Sequence, residues 1–382
     1  MERQIAPSCL DLEVTAACNL RCQYCYLRQT TRRGAAMSAK TADSVVAYLA
    51  ELSKQCPAWQ PMEINFTGGE PFLNFPAVQR IVDGTERLAL RTVRTIFTNG
   101  ASATPQQVEW CKQRDIRPRR STGGCPEASS MTRPGDYLER YVEERYMWRD
   151  WADSRRLVVI PETAHHVFAS VRWLHESGYY GPVDLATDDY AAWPTEAQDA
   201  YEDEVSMLAE ECVYQWKQGR VLAIENFMRF AKAIFGQPNV MVLGCGASLN
   251  TLGITWDGRI VPCHRFFGES PDSGLCAGRL CDILSGSPVR FGGALVVRIA
   301  EWWNGVEHEP CPTCDARQCC QHGCLHVSRE TRGNLWESPP ARCRFVRLYA
   351  RLARRIHSRL GGQDKWWERP ATPCWPLSNG GQ

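Results

Sequence analysis

Short apolar runs alternate along the chain with longer stretches whose apolar residues recur at helical spacing, and this alternation predicts the fold. The run 10–14 reads as a strand. Ser38 caps a helix with Ala42, Val45, Val46, Leu49 and Leu52 on one face, and 62–66 follows as a strand. Asn74 opens a helix reaching about residue 90. The strand 93–98 then runs into Asn99-Gly100, and Thr104 with Pro105 starts a third helix. The segment 116–121 makes a poor strand because Pro118 lies inside it. Beyond it, 136–150 reads as helix, 157–160 as a buried strand, 163–177 as a helix stopped by Gly178, and 183–186 as the sixth strand. Thr195-Glu196-Ala197-Gln198 spells a capping box that opens a long helix with Val205, Leu208, Ala209, Cys212, Val213 and Trp216 inward. Strand and helix alternating at this spacing argue for an α/β fold with a parallel barrel, left incomplete at six units.

The chemistry is concentrated where the first strand ends. Cys18, Cys22 and Cys25 stand as Cys-x-x-x-Cys-x-x-Cys on one short loop. Three thiolates at this spacing can hold three corners of a cubane iron–sulfur cluster, and no fourth cysteine lies on the loop, so one iron is left open for a ligand. Downstream, Thr67-Gly68-Gly69-Glu70-Pro71 places two glycines where a backbone can approach a ligand closely. A zinc site for the cysteines and an ordinary turn for the glycines are the competing readings.

These motifs resemble the signature of radical S-adenosylmethionine (SAM) enzymes. The resemblance implies that the open iron chelates SAM, which is cleaved to a 5′-deoxyadenosyl radical. It implies that Tyr24 borders the adenine and that Gly68, Gly69 and Glu70 hold the methionine amino group. The stretch Ser121-Thr122-Gly123-Gly124, with Arg133 after it, is similar to the family's Ser-x-Asp-Gly turn, except that Gly123 stands where aspartate is usual. Ser121 and Arg133 are the candidate contacts to the SAM carboxylate.

Cysteine density rises again in the last third. Cys245 and Cys263 bracket a stretch that reads as a β-hairpin turning at Asp257-Gly258, and Cys311, Cys314, Cys320, Cys324 and Cys343 follow. A zinc ribbon accounts for Cys311-x-x-Cys314 alone. The full pattern resembles the SPASM region of radical SAM enzymes that modify peptides. That resemblance gives Cys311, Cys314, Cys320 and Cys343 to one auxiliary cluster and Cys245, Cys263 and Cys324 to another, whose fourth ligand is Cys276, Cys281 or an open position. Sulfatase-type relatives carry an aspartate directly after the cysteine at 263; here it is His264, a group whose charge changes near neutral pH. Cys319 is redundant, and Cys9, Cys56, Cys111, Cys125, Cys212 and Cys374 read as small buried hydrophobes.

The fold class expected is therefore α/β, a partial (β/α)6 parallel barrel followed by a small cysteine-rich SPASM domain with a β-hairpin and a C-terminal helix. The divisions are 1–236 for the barrel, 237–360 for the auxiliary-cluster domain, and 361–382 for a tail rich in Gly, Pro and Trp that is either mobile or covers a groove. The helix at 341–360 carries Phe345, Leu348, Tyr349, Leu352 and Ile356 on one face and seven arginines elsewhere, as a solvated basic face or a dock for an acidic leader.

With 382 residues and a net charge of +1, nothing drives the chain toward nucleic acid. No apolar run reaches the ~20 residues of a membrane span, and no signal-peptide run opens the chain, so its 19 cysteines fit a reducing cytoplasm better than disulfides. The expected cofactors are SAM and three [4Fe–4S] clusters. The expected reaction is an intrapeptide C–S or C–C crosslink in a ribosomal precursor. Backbone excision with loss of a tyrosine-derived fragment, or maturation of a protein cysteine or serine, are the alternatives, and a non-catalytic electron carrier is disfavoured by the Gly-Gly-Glu-Pro turn. The expected partners are a precursor with a leader, an electron donor of flavodoxin or ferredoxin type, and a separate leader-recognition protein, because the 17 residues before Cys18 are too few for a leader-binding domain.

Overall fold

Strand β1 (Cys9–Thr15) is buried along its whole length, on both faces. Leu10, Leu12 and Val14 are fully buried, and the alternate residues Asp11 and Glu13 are buried as well. Such burial is what a strand in the middle of a parallel sheet has to satisfy, and the two acids on it must find partners. The computed structural model describes residues 7–29, 34–54, 61–133, 135–143, 147–148, 154–236, 246–287, 289–292, 295–297, 301, 309, 311–320, 322–362 and 365–375.

The chain divides into two compact units. The first takes in Met1–Arg21, Cys25–Arg119 and Gly246–Glu307. In it β1 pairs in parallel with β2 (Met62–Gly68), and β2 with β3 (Thr92–Thr98). On its other side β1 pairs in parallel with β7 (Thr251–Ile254), which turns back into the short antiparallel β8 (Ile260–Val261). The expected hairpin is thus present and turns through Gly258 at φ +82°. Helices α1 (Ala39–Ser53), α2 (Phe75–Arg87) and α3 (Pro105–Gln113) follow the first three strands. Ser38 Oγ accepts from Thr41 N–H at 3.1 Å, and Thr104 with Gln107 forms a complete capping box. Tyr48 fills the buried face of α1, where Val46 is only half-buried.

The second unit takes in Cys22–Tyr24, Arg120–Cys245 and His308–Gln382. Strand β4 (Ile116–Thr122) crosses the division and is a full strand in spite of Pro118, with its buried residues in strict alternation. In the second unit β5 (Ser154–Val159) pairs in parallel with β6 (Val183–Thr187). Helices α4 (Pro126–Thr132), α5 (Tyr137–Glu143), α6 (Val167–Glu176), α7 (Thr195–Lys217) and α8 (Glu225–Phe235) come between and after these strands. Past the hairpin, α9 (Leu280–Leu284) belongs to the first unit, and α10 (Leu325–Arg332) and α11 (Pro340–Arg359) to the second. The α/β class, the parallel pairing, the hairpin and the C-terminal helix are as expected.

Several local expectations are corrected. The capping box at Thr195 does not form: Pro194 takes the capping position, Thr195 is already helical, and Gln198 Nε2 donates to Trp193 O at 2.7 Å. The helix expected at 136–150 is seen as Tyr137–Glu143, and of residues 144–150 only Met147 and Trp148 are described. Helix 163–177 begins as a 3-10 turn, Pro161–His166, before α6. The start of the tail is packed: Trp366, Trp367 and Cys374 are buried, and Thr372 pairs with Val221 through Thr372 N–H to Val221 O at 3.0 Å and Val221 N–H to Thr372 Oγ1 at 2.7 Å. Residues 376–382 lie outside the described residues.

Candidate radical SAM site and auxiliary cysteines

The cysteine loop leaves β1 under a clamp of backbone bonds within the first unit. Gly69 N–H donates to Thr15 O at 2.7 Å and Glu70 N–H to Ala17 O at 2.8 Å. A Cβ on Gly68 would sit 2.2 Å from Thr15 O, and one on Gly69 would sit 2.0 Å from Ala17 O. The two glycines therefore have a reason besides the approach of a ligand: the turn after β2 lies against the backbone that carries the first cysteine, and no side chain fits between. Gly68 also has φ +120°, a conformation side chains rarely adopt.

Glu70 is fully buried and its carboxylate is shared among the chain's own donors. Thr98 Oγ1 donates to Oε1 at 2.7 Å, Asn99 N–H to Oε2 at 2.8 Å, and Phe72 N–H to Oε1 at 3.3 Å. Asn99, at the end of β3, then reaches the loop itself. Its Nδ2 donates to Asn19 Oδ1 at 2.9 Å and lies 3.9 Å from Cys18 Sγ. Asn99 was not among the expected site residues; its one signal is its place at a strand's C-terminal end, where α/β sites gather. Leu20 N–H lies 3.4 Å from Cys18 Sγ.

None of Cys18, Cys22 and Cys25 is in a disulfide, and the first is exposed. Three thiols on one short loop are the donor set a cubane takes, and they fit it chemically. Cys22 belongs to the second unit and Cys18 and Cys25 to the first.

In the second unit Tyr24 and Arg133 come together. The Arg133 guanidinium lies 5.7 Å from the Tyr24 ring and 4.4 Å from that of Tyr137. Arg133 is 4% exposed, with its Nε and Nη2 lacking a hydrogen-bond partner. Burial pushes the Tyr24 phenol well up against the opposing pull of Arg133, so it stays protonated. Gln23 N–H donates to Thr132 O at 3.1 Å, tying the cysteine loop to α4. Ser121 is half-buried, and its carbonyl accepts from Tyr137 Oη at 2.9 Å. The glycine at 123 has a packing reason: a Cβ there would meet Thr132 Oγ1 at 2.7 Å and Ser129 Cα at 2.8 Å. Helix α4 closes that position to any side chain, an aspartate included.

Cys263 follows β8, and Gly253 makes room for it, since a Cβ at 253 would lie 2.9 Å from the Cys263 backbone. His264 is held by a residue that strand patterning does not single out. Asp11 Oδ2 accepts from His264 Nδ1 at 2.7 Å and from His264 N–H at 3.1 Å, and Asn65 Nδ2 donates to Asp11 Oδ1 at 2.9 Å. Burial raises the Asp11 pKa, but the His264 charge and these bonds outweigh it and hold the carboxyl below its ordinary value. The His264 ring also meets the Tyr26 ring edge-on at 6.2 Å.

Four of the later cysteines share one neighbourhood in the second unit. Burial raises the Cys343 thiol pKa, and the nearby Cys320, Cys311 and Cys314 raise it further. Among the described residues no three His, Cys, Asp or Glu side chains converge as a single ion requires. A four-iron cluster is wider than one ion and takes its thiolates further apart, so these four cysteines, none of them in a disulfide, fit it as a donor set. Cys324 begins α10 in this unit, Cys263 lies in the other, and Cys245 lies outside the described residues. Cys276 is half-buried beside Gly278 O at 3.7 Å, and Cys281 is exposed. Cys9, Cys111, Cys125, Cys212, Cys319 and Cys374 are buried, while Cys56 lies outside the described residues. Burial pushes Cys111 up to about 12 and Cys319 and Cys374 up to about 11, which keeps them as inert thiols.

The arginine face of α11 is occupied from within. Arg342 pairs with Asp189, Arg344 with Asp199 and Glu202, Arg351 with Glu202, and Arg355 and Arg359 with Glu210. Arg347 lies 3.8 Å from Asp315, and Arg354 donates to Asp315 O at 2.9 Å. All seven arginines have a partner on the chain, and Arg347, Arg351, Arg355 and Arg359 are also exposed to solvent.

Comparison with known proteins agrees with the motifs. Residues 12–116 match the family model of a 4Fe-4S single cluster domain. An uncharacterised protein of Methanocaldococcus jannaschii is 35% identical over 127 residues, which are 33% of this chain and 41% of that protein. The chain thus spans about two fifths of that curated relative. Among solved structures, anSMEcpe with bound AdoMet superposes with a TM-score of 0.76 at 16% identity, over 95% of this chain and 97% of the other, and the same protein is known with AdoMet and a Cp18Cys peptide. Streptococcus suis SuiB bound to the precursor peptide SuiA superposes with a TM-score of 0.58 at 16% identity, over 88% of this chain and 75% of the other. The chain has the fold of these proteins, and the expected cysteine loop lies within the residues that match the 4Fe-4S family model. Among the described residues no helix is long and apolar enough to cross a membrane.

Proposed function

We propose that this chain is a cytoplasmic radical SAM/SPASM maturase that modifies a ribosomally made precursor peptide, by an intrapeptide C–S or C–C crosslink. The observation that carries this reading is the clamp on the cysteine loop: the Gly68-Gly69-Glu70 turn and Asn99 hold the segment from Thr15 to Asn19 from two neighbouring strand ends. A loop so held suits a cluster that must keep one iron open. Cys18, Cys22 and Cys25 would hold that cluster. Gly68, Gly69 and Glu70 would receive the SAM amino group, Tyr24 would border the adenine, and Ser121 and Arg133 would face the carboxylate. When bound, the cluster and SAM supply a 5′-deoxyadenosyl radical that abstracts hydrogen from the substrate.

The barrel would span 1–236 and the auxiliary-cluster domain 237–360, with two further clusters held by Cys311, Cys314, Cys320 and Cys343 and by Cys245, Cys263 and Cys324. Support for a peptide substrate comes from the peptide-bound states of two proteins of the same fold. A flavodoxin- or ferredoxin-type donor would reduce the first cluster, and a separate protein would recognise the leader. The internal pairing of the α11 arginines favours that partner over the helix itself.

A second reading, maturation of a cysteine or serine in a folded protein, is supported by the fold match to anSMEcpe, which is known bound to AdoMet and a Cp18Cys peptide. The test of the common core is 5′-deoxyadenosine release by anaerobically reconstituted enzyme given SAM and reductant. Release that is lost when Cys18, Cys22 and Cys25 are all replaced by Ala is the expected result; release that persists in that variant would overturn the assignment.

A further inference from the structure

Cys314 has charged neighbours of both signs. Arg347, on α11, places its Nε 3.5 Å from Cys314 Sγ, and Asp315 Oδ1 lies 3.9 Å from the same sulfur. Arg347 Nε is also 3.8 Å from Asp315 Oδ1, so one guanidinium stands against both groups. In the free protein the Cys314 thiol can donate to Asp315. A cysteine that ligates iron has lost that proton, and the carboxylate then faces an anionic sulfur across a short gap. Arg347 is a cation in contact with both of them, and Arg354 reaches the same turn through Asp315 O at 2.9 Å. A second sulfur of the set is bonded too: His322 N–H donates to Cys320 Sγ at 3.3 Å.

We propose that Arg347 sets the reduction potential of the cluster at Cys311, Cys314, Cys320 and Cys343, raising it against the opposing charge of Asp315. Hydrogen bonds to the sulfurs and net charge around them are among the main determinants of iron–sulfur potentials. A cation and an N–H donor at a ligating sulfur stabilise the reduced, more negative cluster, and a carboxylate there destabilises it. Arg347 is a positioning residue that acts through Cys314. The inference rests on the proposed assignment of these four cysteines to one cluster.

The test is an EPR-monitored redox titration of anaerobically reconstituted full-length enzyme, alongside its iron content. Arg347→Gln should lower one midpoint and leave the others in place, by about tenfold in the reduction equilibrium, or about 59 mV for a one-electron couple. Asp315→Asn should move the same midpoint upward, and Arg347→Lys should restore part of the loss. Unmoved midpoints in both Arg347→Gln and Asp315→Asn, with iron content unchanged from the parent, would overturn the role of Arg347. Parent enzyme lacking the iron of this site would instead overturn the cluster assignment, and the inference with it.

Discussion

Asp11 holds His264 at two points, ring and backbone, across 253 residues of chain. The acid sits on β1, just ahead of the cysteine loop, and the histidine directly follows Cys263. Asp11→Asn keeps the size and one acceptor but removes the charge that faces the histidine. We expect a loss of roughly 1–3 kcal/mol in urea denaturation at neutral pH, the range for a buried group left with its hydrogen bonding incomplete. The Asp11 carboxyl is held below its ordinary value in the fold, so its contribution is present above the unfolded carboxylate pKa of about 3.9 and fades as pH falls through the folded value. The variant should therefore lose less stability than the parent when both are taken below about pH 4.

His175 gives a second acid-sensitive element, with its own window. It is fully buried on α6, its ring 5.1 Å from that of Trp375, and burial pushes its pKa down to about 4. The unfolded chain takes up the proton near pH 6.5 and the folded one only near 4. Stability is then complete above about 6.5 and declines toward 4, by up to roughly 3 kcal/mol. Replacing His175 with Phe should flatten that decline in denaturation curves recorded between pH 7 and 4.5.

Glu70 links the ends of β2 and β3 through Thr98, Asn99 and Phe72. Glu70→Gln turns an amide donor toward one of these donors and should cost roughly 1–3 kcal/mol. If the residue also receives SAM, equilibrium dialysis should show weaker SAM binding in the reconstituted variant at a temperature where it is still folded. Unchanged SAM affinity would confine Glu70 to the structural role.

The arginines of α11 give a prediction of small effects. Arg355 and Arg359 are exposed and pair with Glu210, and exposed pairs of this kind contribute about 0–1 kcal/mol. The double replacement by Gln should lower the melting temperature slightly and leave KM for the precursor unchanged. A marked rise in KM would restore the helix as the leader dock.

What could be read from sequence was local. The strands β1 to β3 and β6 follow from apolar runs, α1 and α3 from Ser38 and Thr104, and the clustered thiols from cysteine spacing. Contacts between distant residues could not be read this way. Asp11 looks like the polar position of an alternating strand, and nothing near it points to His264. Asn99 reads as the end of a strand, although its side chain meets Asn19 on the cysteine loop. Gly68 and Gly69 were expected to admit a ligand, but their closest neighbours are the carbonyls of Thr15 and Ala17. Helix α4 is short and begins at Pro126, so it leaves little periodic signal, and its packing explains the glycine at 123 that departs from the motif. The charged partners of α11 lie on α7, at Asp189 after β6 and around Asp315, so its arginine face reads as free in isolation.

If the chain modifies a precursor peptide by radical chemistry, mass spectrometry of that peptide will show the change. The precursor encoded beside the gene would be co-expressed with the enzyme and with any leader-binding protein of the same locus. A crosslink predicts a product lighter by two hydrogen atoms per link, with fragment ions missing inside the linked segment, and unmodified peptide when Cys18, Cys22 and Cys25 are all Ala. Unmodified precursor beside an enzyme that carries its clusters and cleaves SAM would contradict the account.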